Sequence, residues 1–206
     1  MSDSLSKLLL TFGSLPPEQI QSQTKELYVK FYCSEKILTH DGERIVFTEE
    51  RFDHAFFSTD DKINKRYGKH QFMRDRAERL HWIAAIVGGK VPGAECWKVP
   101  PAYAAAPKQR IYVVWESSYA VWLWENGEKA WKFSTAYGAS WADLRRYTGR
   151  AKFAQKLWTC PEPAEQEAES EHESKTEQKS GETTASSTEG EGDKEKKDDS
   201  ENKNAP

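Results

Sequence analysis

Every aromatic residue of this chain lies before residue 161. The stretch beyond is built of Glu, Ser, Lys, Thr and Gly and cannot bury enough apolar surface to offset chain entropy, so it predicts a disordered tail. A packed core must therefore form within the first 160 residues, a length that suits one domain. Charge divides at the same boundary. Residues 1–160 hold 24 Lys+Arg and 18 Asp+Glu, a balance of +6; residues 161–206 hold 6 and 15, a balance of −9; together they give the net −3. A basic body suits a polyanionic partner, although such an excess is also ordinary solubility charge. His172 falls in the tail and is a poor candidate for catalysis.

Cys33, Cys96 and Cys160 are odd in number and widely spaced, so neither a disulfide framework nor a structural zinc site is suggested. Leu8-Leu9-Leu10 is too short for a signal-peptide core, and no stretch is apolar enough to span a bilayer. The cytoplasm of a bacterial host, with the protein host- or phage-encoded, is the expected compartment. No membrane partner is expected.

Residues 1–36 predict one or two helices broken at Gly13–Pro17, with Ile20, Thr24, Leu27 and Phe31 at helical spacing. Ile37-Leu38, Asp41-Gly42 and Arg44–Phe47 predict a hairpin with an Asp-Gly turn. Thr48 is the expected N-cap of a short helix over Glu49–Phe57 that buries Phe52 and Phe56 and turns His54 elsewhere, although Arg51 stands where a capping box would want Glu or Gln. A helix over Gln71–Val87 follows, its apolar stripe running through Met73, Ala77, Leu80, Ala84 and Val87 and ending at Gly88-Gly89. Residues 92–108 are rich in Pro and Ala and predict a long loop. Three strands then occupy Arg110–Trp115, Tyr119–Trp124 and Lys129–Tyr137, the last two joined by an Asn126-Gly127 type I′ turn. That turn would pair Trp122 with Trp131 and place Trp131, Phe133, Thr135 and Tyr137 on one face. Ser140–Asp143 opens a last helix with a capping-box pattern. Helices first and an antiparallel sheet afterwards predict the α+β class.

The series Phe52–Phe56, Arg76–Ile83 and Phe133–Tyr137 supplies a histidine in a Phe-x-His-Ala-Phe setting, an Arg-Ala-x-Arg-Leu-x-Trp-Ile segment and a Phe-x-Thr-Ala-Tyr strand. In this order the motifs resemble the phage- and mobile-element nuclease-like proteins grouped with barnase, EndoU, the tRNA-cleaving colicin domains and RelE. The resemblance covers roughly the middle half of the chain. It implies a BECR-like fold of two helices and a small antiparallel sheet over residues 37–160, behind an N-terminal helical segment (1–36) and ahead of the tail (161–206). It also implies metal-independent endoribonuclease activity of toxin or effector type.

Such cleavage needs a proton acceptor, a proton donor and cations around the phosphate oxygens. His54 is the candidate acid or base, since an unperturbed histidine titrates near neutral pH; its structural alternative is a local capping bond. Arg76 lies within the arc of the apolar stripe, where a guanidinium needs either a carboxylate or an incoming anion. Arg76 and Arg110 are the candidate phosphate clamps. Thr135 and Tyr137, on one sheet face, can present two hydroxyls to the same phosphate. Lys62, Lys65, Arg66 and Arg79 are candidate contacts to the substrate strand, Arg79 having a surface pair with Asp75 as its alternative. His40 and His70 stand in polar contexts and are expected at the surface. The strand tryptophans are expected mostly in the core.

RNA, tRNA included, is the expected partner, with a cognate immunity or antitoxin protein beside it. No Gly-rich phosphate loop or metal-ligand set is present, so no cofactor is expected. The competing function is a catalytically inactive nucleic-acid- or protein-binding module of the same fold. A nucleotide-dependent transferase ranks last, for want of a convincing catalytic glutamate beyond Glu116 or Glu125.

Overall fold

A computed structural model describes residues 3–58, 71–100, 107–127, 130–149 and 154–162. Lys62, Lys65, Arg66 and the tail from residue 163 onward lie outside the described residues. The helices are α1 (Asp3–Ser6), α2 (Pro17–Tyr28), α3 (Arg51–Phe56), α4 (Arg74–Glu78), α5 (Trp82–Val87) and α6 (Trp141–Gly149). The strands are β1 (Ile37–Leu38), β2 (Arg44–Val46), β3 (Phe57–Ser58), β4 (Gln71–Phe72), β5 (Glu95–Val99), β6 (Gln109–Val114), β7 (Tyr119–Glu125), β8 (Ala130–Gly138) and β9 (Gln155–Thr159).

The class is α+β, but the sheet is neither small nor wholly antiparallel. Seven strands run in the order β1-β2-β8-β7-β6-β5-β9, and β2 pairs with β8 in parallel. β3 and β4 form a separate two-stranded ladder. The large sheet curls until its ends meet. His40, in the turn after β1, stacks on Trp158 of β9 with ring centroids 4.1 Å apart.

The curl gives the sheet an inner and an outer face. The inner face carries Tyr112, Val121, Leu123 and Phe133 into one core with Tyr28 of α2, Phe52 and Phe56 of α3, and Trp82 of α5. The outer face carries Ile111, Val113 and Ala120 into a second core under Leu144 of α6. Strand alternation sends successive residues into different cores, which is why β6 is buried over most of its length. Only half of the capping box that opens α6 forms: the Asp143 N–H donates to Ser140 Oγ at 3.1 Å, but the Asp143 carboxylate accepts from that hydroxyl, at 2.7 Å, rather than from the Ser140 backbone N–H.

Four local expectations are corrected. The helix expected over Gln71–Val87 is a strand and two short helices. Gln71-Phe72 pairs with Phe57-Ser58, and the carbonyls of Glu78 and Leu80 accept from Leu10 N–H (2.8 Å) and Tyr32 Oη–H (2.7 Å). Partners brought in from the N-terminal segment thus take carbonyls that a continuous helix would use.

The loop expected over 92–108 contains β5, which pairs with β6 and β9. In α2 the buried residues are Ile20, Thr24 and Tyr28, followed by Tyr32, while Phe31 is exposed. The π-helical turn Val29–Cys33, closed by Ser34 N–H to the Val29 carbonyl, carries this face onward in place of the expected Leu27 and Phe31.

The fourth correction concerns the β7–β8 register. Glu125 faces Trp131 and Leu123 faces Phe133, but Trp122 faces Thr135. Ser134 is therefore an extra residue on β8, and the bulge reverses the alternation beyond it. Trp131, Phe133 and Ala136 enter the inner core, whereas Tyr137 joins the outer one. Thr135 and Tyr137 still share a face, but not the face of Trp131 and Phe133.

Candidate functional site

The expected phosphate clamps separate sharply. Arg110 leaves β6 on the inner face and its side chain is only 13 % exposed. Its Nη1 donates to both carboxylate oxygens of Asp41, at 3.1 and 2.8 Å, and lies 3.2 Å from the Glu43 carboxylate. The guanidinium also sits 4.4 Å from the centroid of Trp131, whose indole N–H donates to Glu43. Burial works to lower the arginine's pKa, but Asp41 outweighs it and raises the value. With two carboxylates already in place, Arg110 has its anions. It is a structural cation that ties the β1–β2 turn across the inner face to β6 and β8.

His40 belongs to the same assembly. Its Nδ1 is 2.8 Å from Tyr112 Oη, and its side chain is 11 % exposed, so it is not the surface residue expected from its polar sequence neighbours. Burial holds its pKa below the ordinary histidine value, with Arg110 pulling the same way and Asp41 and Glu43 opposing.

Arg76 has a different environment. It leaves α4 half-buried, and its Nη1 donates to the carbonyls of Ala55 (2.9 Å) and Phe57 (3.4 Å) at the C-terminal end of α3. A cation is favoured there because a helix C-terminus carries partial negative charge. No carboxylate among the described residues forms an ion pair with it. Asp75, the nearest candidate in sequence, pairs with Arg79 at 3.4 Å instead. Burial holds the Arg76 pKa below the ordinary arginine value, with Asp75, Tyr119 and Tyr137 opposing. Its Nε and Nη2 make no hydrogen bond among the described residues.

The Arg76 guanidinium lies 5.4 Å from the ring centroid of Tyr137 on β8. Tyr137 is half-buried, its hydroxyl 3.3 Å from that of Tyr147 on α6, and burial raises its pKa. Arg76, Tyr137 and the helix that carries His54 therefore meet at one place, beside the part of β8 that β2 does not cover. His54 is half-buried on α3, one residue before the Ala55 carbonyl that Arg76 grips. Ser58 and Gln71, which flank the segment bearing Lys62, Lys65 and Arg66, are paired to each other. Thr135 is half-buried opposite Trp122. Arg79 binds Asp75 and lies 5.2 Å from the Trp82 ring, so it is a surface pair.

Two features escaped the sequence. The Asp41 and Glu43 partners of Arg110 come from a distant turn, and no local pattern announces them. Glu95 accepts the indole N–H of both Trp97 (2.9 Å) and Trp115 (2.7 Å) on one oxygen and the Lys156 ammonium (2.9 Å) on the other. Its strand, β5, lies in the stretch that predicted a loop.

Among the described residues, no group of three His, Cys, Asp or Glu could hold a metal ion, and no helix is long and apolar enough to cross a membrane. No family model, curated protein or solved structure matches the chain. The nuclease resemblance thus rests on the short motifs alone.

Proposed function

We propose that this protein binds RNA and receives a backbone phosphate on the Nε and Nη2 donors of Arg76. The observation that carries this reading is the contrast between two half-buried arginines. Arg110 is matched by Asp41 and Glu43, whereas Arg76 is desolvated, fixed by two carbonyls and paired with no carboxylate among the described residues. A guanidinium held in this way presents a rigid pair of donors that suits a phosphate. The net positive charge of residues 1–160 adds long-range attraction.

The test is RNA affinity measured across a salt series. Arg76→Ala should weaken binding about tenfold and reduce the salt slope by about one, the signature of one lost phosphate contact. Thermal unfolding of the variant must be followed in parallel, because the bonds to Ala55 and Phe57 also join α4 to α3. Arg76→Lys keeps the charge and should recover only part of the affinity. A folded Arg76→Ala that binds RNA as well as the unaltered protein would refute the site.

A second reading, cleavage, is favoured by the place where Arg76 is anchored, at the end of the helix that carries His54. His54 would then move protons while the ribose 2′-hydroxyl attacks the phosphate held by Arg76, leaving a 2′,3′-cyclic phosphate. His54→Ala should cost on the order of 10²–10⁴ in rate and spare binding. Incubating the protein with total RNA in EDTA and analysing the end groups separates the readings. Cyclic-phosphate ends, absent with His54→Ala, make it a nuclease of the kind its motifs resemble; intact RNA leaves it a binding module.

A further inference from the structure

The outer face of the sheet concentrates indole rings that no helix fully covers. Trp97, Trp115 and Trp122 lie half-buried in the outer core. Trp124, two residues beyond Trp122 on the same strand, shares that face by alternation. Trp141, at the start of α6, is 52 % exposed and packs on Trp115 with ring centroids 5.2 Å apart. An indole left this open does little for the core.

Cations accompany these rings. Arg145 lies 5.3 Å from the Trp141 centroid and Arg51 4.8 Å from Trp124; the Lys156 ammonium, 5.8 Å from Trp97, is already paired with Glu95. Trp97 and Trp115 are also held in position, since Glu95 receives their N–H groups. That carboxylate is itself matched by Lys156. Tyr137 belongs to the same outer core and carries Arg76 over its ring, so the aromatic face continues into the phosphate site.

We infer that this outer face is a stacking surface for unpaired bases of single-stranded RNA, with Trp141 as its most open platform. The inference rests on the RNA reading above and adds the form of the ligand. Aromatic rings interleaved with arginines, here Arg145 and Arg51, take successive bases on their π-faces while the cations meet the phosphates. Trp97 and Trp115, already fixed by Glu95, lose little freedom on binding. A duplex, whose bases are stacked on one another, cannot use such a surface.

The experiment is a titration of the full chain with a twelve-residue oligouridine and with an RNA duplex of equal length, read by tryptophan fluorescence. The oligouridine should bind at least about tenfold more tightly and quench the emission. Trp141→Ala should weaken oligouridine binding about tenfold, the loss expected for one stacked base, and should leave duplex affinity unchanged. Trp141→Phe should recover part of the loss, and Phe31→Ala, which removes an exposed ring on the π-helical turn, should change nothing.

If Trp141→Ala binds oligouridine normally while Arg76→Ala does not, the stacking surface is wrong and the phosphate site stands. Equal affinity for duplex and single strand also overturns the inference. Failure of the unaltered protein to bind either RNA removes both proposals. If Trp141 is shielded from acrylamide before any RNA is added, another part of the chain or a second copy occupies the face, and RNA is not its ligand.

Discussion

The ring of His40 lies flat against that of Trp158, 4.1 Å between centroids and 22° from parallel. β1, which runs into the turn bearing His40, and β9 stand at opposite ends of the seven-strand order, so this contact is where the curled sheet closes on itself. Gly89 forms the floor beneath it. It holds a φ of +70°, and a Cβ there would lie 3.1 Å from both the His40 Cβ and the Trp158 ring.

Gly89→Ala should therefore destabilise the protein by more than backbone strain alone. The left-handed conformation costs an L-residue about 1–2 kcal/mol, and here the His40 side chain and the Trp158 ring must also shift. Gly13→Ala is the control, since Gly13 has a φ of +53° with nothing within 4 Å of its Cβ. Urea unfolding should rank the two, Gly89→Ala losing the more. Equal losses would show that the closure yields freely.

Stability should fall as pH drops from about 7 towards 5. Burial lowers the pKa of both His40 and His81 from the ordinary 6.5. Below 6.5 the unfolded chain therefore takes up protons that the folded chain refuses, and stability is lost until pH reaches the depressed folded values. His40→Gln and His81→Gln should each flatten this slope when unfolding free energy is measured against pH. An unchanged slope in the double variant would place the dependence elsewhere.

Arg110→Ala should destabilise the fold by about 2 kcal/mol, below the usual cost of breaking a buried pair because Asp41 is partly exposed. RNA affinity of the folded protein should not change, since this guanidinium is already matched by carboxylates. A loss of RNA affinity without loss of stability would restore Arg110 as a phosphate clamp.

Tyr32→Phe should cost about 1–2 kcal/mol. The hydroxyl donates to the Leu80 carbonyl at 2.7 Å and accepts from Ala84 N–H at 3.3 Å, at the break between α4 and α5. Amide exchange near Leu80 and Ala84 should quicken in the variant. Unaltered exchange would mean that the break holds without the tyrosine.

Removal of residues 163–206 should leave thermal stability intact, whereas a chain ending at residue 153 should unfold readily. The second cut takes away β9, the Trp158 ring beneath His40, and the Cys160 N–H bond to the Ala94 carbonyl at 2.7 Å. Equal melting temperatures for the two truncations would show that β9 adds nothing to the sheet.

What the sequence determined by itself was local. The strand runs Arg110–Trp115 and Tyr119–Trp124, the Asp41-Gly42 turn, the buried Phe52 and Phe56, and the Ser140 cap each depend on neighbours within a few residues. The pattern therefore carries the physical cause. At the candidate site, Arg76 and Tyr137 stood out as a cation within an apolar stripe and a tyrosine on a strand.

Their meeting, and the loss of Arg110 to Asp41, came only with the tertiary structure. Asp41 is 69 residues from Arg110, and Leu10 and Tyr32 reach far along the chain to take the carbonyls of Glu78 and Leu80. The Ser134 bulge likewise moves Thr135 and Tyr137 to the outer face through a register that β7 imposes. A long-range partner changes which local preference wins once it satisfies a buried polar group, and nothing near Arg110, Leu80 or Ser134 in the sequence records that partner.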